Sequence, residues 1–147
     1  MMKNIFYLMF LGLCLTSTLS QATPQFSEAD LKASEIAKTV FQNEISFKNF
    51  NLTQQAAFCT GAIASFQTCL SGQDSGDQVL QTSKILFEQI YGDLNSHESY
   101  FKAGEVYGYL LSATTQKCDS ISEFTNNNCQ EMMQRNVQYI QENFRNQ

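Results

Sequence analysis

The chain has 147 residues, nine basic against 14 acidic, with five cysteines, twelve phenylalanines and no tryptophan. That length suits one domain with its own core, and a net charge of −5 without a basic cluster argues against a nucleic acid or an anionic membrane surface as partner. Pro24 is the only proline and no stretch alternates apolar with polar residues, so the expected class is all-α.

Residues 1–22 read as an export signal peptide. Lys3 stands in a short n-region, Ile5 to Leu15 form an apolar run, and Ser20-Gln21-Ala22 is a small-x-small cleavage site. The run is shorter than the roughly 20 residues that span a bilayer, so cleavage after Ala22 is expected. Residues 23–147 would then form a single helical domain without stable membrane insertion. Cleavage removes Lys3 and Cys14, leaving eight basic residues against the 14 acids, and four cysteines. An even cysteine count behind an export leader implies two disulfides made in an oxidising place: outside the cell, in a secretory lumen or in a bacterial periplasm.

The first helix opens at Ser27, with Asp30 placed for a capping box, and carries Ala29, Ala33, Ile36, Ala37, Val40 and Phe41 on one stripe to about Asn43. A connection follows in which Phe47 and Phe50 can pack beneath neighbouring helices. It ends in Asn51-Leu52-Thr53, which makes Asn51 a candidate glycosylation site. From Asn51 to Gln73 no residue is charged. This segment reads as the central helix: Cys59, Ile63, Phe66 and Leu70 share one face, and Ala57, Gly61, Ala64 and Thr68 form a small-residue stripe opposite. Its glutamines and hydroxyls make it a poor membrane span. Ser71-Gly72 stops it, Gln73 to Gly76 reads as the reversing turn, and a third helix begins near Asp77 with Val79, Leu80, Ser83, Leu86, Phe87, Ile90 and Tyr91 on one face. After Gly92 to Asn95, Ser96 caps a fourth helix whose inward side runs Tyr100, Gly104, Tyr107, Gly108, Leu111 and Cys118. Asp119 to Asn128 is polar and Asn-rich, a connection with at most a short turn around Ile121 and Phe124. The fifth helix, Cys129 to Phe144, carries the stripe Cys129, Met133, Val137, Ile140 and Phe144. The sum is a small antiparallel bundle of about five helices, stapled by two disulfides.

Cys59 and Cys69 are ten residues apart, about 15 Å of helical rise, whereas a disulfide holds Cα atoms about 4.4 to 6.8 Å apart. They cannot pair, which also excludes Cys118 with Cys129 and leaves a nested and a crossed connectivity. In an up-and-down bundle the second and fourth helices run parallel and bring Cys69 and Cys118 to the same end, which favours Cys69 to Cys118 with Cys59 to Cys129. That pairing requires Asp119 to Asn128 to descend along the bundle. The spacings Cys59-x9-Cys69 and Cys118-x10-Cys129 resemble the twin CX9C helical-hairpin proteins of the mitochondrial intermembrane space. The resemblance covers these two segments and implies nested pairing, adjacent helices joined by a short turn, and that compartment as the alternative location.

No nucleophile elbow, P-loop, zinc-binding or C-x-x-C motif occurs, and His97 is the only histidine. No catalytic residue, metal site or cofactor is expected. Tyr100, Gly104, Tyr107, Gly108 and Met133 form a candidate ligand pocket between the third, fourth and fifth helices, where glycines leave room and hydroxyls orient a ligand. The competing reading places Gly104 and Gly108 against the small stripe of the central helix. The function expected is that of an exported, non-enzymatic protein binding a protein partner or a small apolar ligand; a diffusible helical signal or effector is the alternative.

Overall fold

A computed structural model describes residues 26–144, so the expected leader lies outside the described residues. Those residues form six α-helices and two 3-10 helices, and no strand is found among them. The α-helices are α1 (Glu28–Gln42), α2 (Leu52–Ser71), α3 (Gln73–Tyr91), α4 (Glu98–Thr115), α5 (Asp119–Asn128) and α6 (Gln130–Phe144). The 3-10 helices, Glu44–Asn49 and Leu94–His97, connect α1 to α2 and α3 to α4.

Side chains close the helix starts that the sequence marks. The Ser27 hydroxyl accepts from the Asp30 amide at 3.1 Å while the Asp30 carboxylate accepts from the Ser27 amide, a complete capping box. Asn51 and Gln54 repeat it at α2: the Asn51 side-chain oxygen accepts from the Gln54 amide at 2.8 Å, and Gln54 Oε1 accepts from the Asn51 amide at 3.0 Å. Beneath them, Phe47 packs on Phe50, Phe58 and Phe124 with ring centroids 5.4 to 5.8 Å apart, so the connection before α2 supplies core aromatics as expected. Phe66, by contrast, is only partly buried and Leu70 is 57% exposed, so the large face of α2 loses its cover toward the C-terminal end.

Three elements depart from expectation. The reversal between α2 and α3 is made by Gly72 alone, at φ 85°, where its amide also donates to Thr68 O at 2.9 Å; α3 therefore starts at Gln73 rather than near Asp77. Ser96 lies inside the second 3-10 helix, and His97 occupies the cap position of α4 without a side-chain bond. The Asn-rich segment 119–128 is a full helix, not a connection. Its Ile121, Phe124 and Thr125 are buried, an i, i+3, i+4 face that outweighs the low helix propensity of its asparagines. Asn128 ties its end down by donating to Glu44 Oε1 at 2.7 Å.

Helix α5 is what makes the cysteine pairing work. Cys59 bonds Cys129 and Cys69 bonds Cys118, each with Cα atoms 5.8 Å apart, in the nested connectivity. Cys118 and Cys129 stand at the two ends of α5, and Cys59 and Cys69 bound a stretch of α2 of nearly equal rise. The helices run antiparallel and are bolted together at both ends, with α3 and α4 inserted between them in sequence. No helix among the described residues is long and apolar enough to cross a membrane.

Candidate functional site

Helix α2 is covered on two sides by different means. On one side it runs parallel to α4 at a separation that only glycine allows. A Cβ on Gly61 would collide with the Phe101 carbonyl oxygen, one on Gly104 with the Phe58 carbonyl oxygen, and one on Gly108 with the Ser65 side chain. Ser65 Oγ then donates to Glu105 O at 2.7 Å across the same contact. The expected packing of Gly104 and Gly108 against α2 is found, but of the small stripe expected there only Gly61 is placed in this contact, which Phe58, Ala62 and Ser65 complete.

On its other side α2 faces α3 and α6 across an apolar groove of about 230 Å³. Thr60 and Ile63 form its floor, Leu86, Phe87 and Tyr91 line the α3 wall, and Met133, Asn136, Val137 and Ile140 line the α6 wall. The α6 stripe expected to be core is half in water: Met133 is 44%, Val137 53% and Ile140 41% exposed, while Met132 is buried in their place. The reason lies at Cys129. Its bond to Cys59 anchors only the first turn of α6 against α2, so the rest of the helix stands off and the stripe becomes a wall.

The five residues expected to form a pocket do not converge. Met133 lines the groove. Tyr107 belongs to the aromatic core, 4.7 Å from Phe124 and 5.4 Å from Phe58 between ring centroids. Tyr100 packs edge-on to Phe50 at 5.1 Å, and Gly104 and Gly108 are closed against α2. The expected third and fifth helices, α3 and α6, do border the groove, but the helix between them is α2 rather than α4. Thr60 and Asn136 are lining residues that sequence reasoning did not single out, and Ile63 was read only as part of the apolar face of α2. The apolar faces of α3 and α6 and the Met132-Met133 pair were a signal for two walls, but the floor depends on which face of α2 the bridges turn toward them.

The electrostatics of the groove are weak. Burial raises the Tyr91 hydroxyl above its ordinary value, offset in part by the Arg135 guanidinium, so it stays a neutral donor. Thr60 Oγ1 donates to Ala56 O at 2.7 Å. Among the described residues no carboxylate or imidazole lines the groove beside the Thr60 and Ser83 hydroxyls that also line it. Among the described residues no group of three His, Cys, Asp or Glu side chains is placed to hold a metal ion. His97 packs edge-on to Phe87 at 6.2 Å, outside the groove lining. Asn51 is exposed, and its cap bond uses the side-chain oxygen. What the arrangement can do chemically is shelter apolar surface from water. Comparison with protein-family models, with curated proteins and with solved structures gave no match.

Proposed function

We propose that the chain is an exported, non-catalytic carrier of a small apolar ligand, held in the groove between α2, α3 and α6. The observation that carries this reading is the groove itself: about 230 Å³ walled by Ile63, Leu86, Phe87, Met133 and Val137. A cavity of about 150 Å³ with such a lining already accepts benzene, so this one has room for a compact bicyclic molecule. Burying such a ligand is driven by removal of apolar area from water on both sides of the contact. Met132 and Met133 suit the task, because an unbranched thioether side chain refits to ligands of different outline. The two disulfides favour an oxidising compartment, and Cys59–Cys129 ties the start of α6 to α2.

The test is direct binding. Native mass spectrometry of the disulfide-bonded protein from its own source should find a co-purifying small molecule. Methyl NMR of purified protein titrated with indene should move Ile63, Leu86 and Val137 together. Absence of both a bound mass and localised shifts would overturn the carrier reading in favour of a signal or effector role.

A further inference from the structure

The groove contains one polar defect. Asn136 is a lining residue on α6, and its side-chain oxygen is buried with no hydrogen-bond partner among the described residues. The buried hydroxyl of the groove floor is satisfied, Thr60 donating to Ala56 O. A buried acceptor left unpaired destabilises a fold, whereas leucine has nearly the same shape and would suit an apolar wall. The defect therefore has no structural role. It does have an obvious partner: a donor carried in by the ligand. The Cβ–Cγ torsion of asparagine is broad, so the oxygen can turn toward the groove with little resistance. The Thr60, Ser83 and Tyr91 hydroxyl oxygens in the lining can accept as well, but each carries a proton of its own, that of Thr60 spent on Ala56 O, whereas Asn136 Oδ1 is an acceptor only.

Resting on the carrier reading, we propose that Asn136 is the specificity-determining residue of the groove, its Oδ1 accepting a hydrogen bond from a single hydroxyl or ring N–H on an otherwise apolar ligand. The ligand class is thereby narrowed from hydrocarbon to phenol-like or indole-like molecules. A site built around an acceptor discriminates against the analogue lacking the donor, because that analogue leaves the acceptor unpaired.

Three isosteres test this by titration calorimetry on the disulfide-bonded chain: indole, which carries a donor, indene, which has a methylene there, and benzofuran, which has an acceptor. The wild-type protein should bind indole about three- to tenfold more tightly than indene, and benzofuran no better than indene. Asn136→Leu should bring the indole-to-indene ratio to about one while indene affinity is kept. Asn136→Ala, which leaves the groove wider, should abolish the preference in the same way and covers the case in which leucine fills the space. Indene bound as tightly as indole by the wild type, a preference that survives both substitutions, or benzofuran bound best would each overturn the role of Asn136 and leave the carrier reading standing. Failure of all three molecules to bind would overturn the carrier reading itself.

Discussion

The two sides of α2 show how one helix can be both the keystone of a fold and the floor of a groove. Toward α4, Gly61, Ala62 and Ser65 present so little side chain that the backbones touch, and the contact is filled by the facing main chain. Toward α3 and α6, Thr60 and Ile63 meet long, flexible or aromatic side chains that leave space between them. Dispersion and burial are strongest where atoms approach without gaps, so the first side supplies rigidity and the second tolerates change. The lesson is that residue size, more than hydrophobicity, divides the structural face from the one available to a ligand.

The comparison breaks most readily at Gly104. Gly104→Ala must push α2 and α4 apart, at about 3 kcal/mol, whereas Met133→Ala on the open side should cost under about 1 kcal/mol. Urea unfolding of both variants checks this, and equal losses would erase the distinction. The bridges come next. Replacing Cys59 and Cys129 by alanine should cost about 4 kcal/mol on the loop-entropy account and free α6. The Cys69–Cys118 pair closes a similar loop, but Cys69 is exposed while Cys59 and Cys129 are buried. Mild dithiothreitol should therefore open Cys69–Cys118 first, as peptide mapping of alkylated thiols would show.

On the open side, Val137→Asp sharpens the comparison from the other direction. Its parent is 53% exposed, so the melting temperature should change little, yet indene affinity should fall by about tenfold as a charge enters the apolar wall. A large loss of stability instead would mean that the groove wall is structural core.

Titration gives two smaller effects at groups away from the groove, of opposite sign. Burial raises the Glu105 carboxyl, with Lys84 and Lys102 offsetting part of that rise. A raised carboxyl pKa gives stability that is present at low pH and lost as pH rises through the folded value, so Glu105→Gln should raise the melting temperature at about pH 7 and leave it unchanged at about pH 3. Asp30 behaves in reverse. The hydrogen bond from Lys102, aided by the Ser27 cap, holds its carboxyl down at about 2 from an ordinary 3.8. Its contribution is therefore complete above the ordinary value and lost as pH falls between 3.8 and about 2. Lys102→Met should flatten the melting-temperature profile in that window, by a small amount because the pair is open to solvent.

Most of the architecture is legible in the residues themselves. Caps at Ser27 and Asn51, the charge-free span from Asn51 to Gln73, the stripe of α1 as far as Val40, that of α4 as far as Leu111 and the exclusion of a Cys59–Cys69 bond follow from local chemistry and helical rise, whereas Cys118, expected on α4, lies beyond its end at Thr115. Gly61 and Gly104 are legible as candidates for a close helix contact, but the same spacing also allows a pocket, and only the packed helices decide between the two. Three features were settled by tertiary structure. The segment 119–128 is helical because burial of Ile121 and Phe124 and bonds at Cys118 and Cys129 outweigh asparagine's preference for turns, and none of these acts on an isolated peptide. The third helix extends back to Gln73 because a single glycine completes the reversal. The groove lies at α2 rather than α4 because the Cys59–Cys129 bond sets where α6 begins and leaves its later turns standing off, and a stripe read along one helix says which side is apolar but not what will cover it.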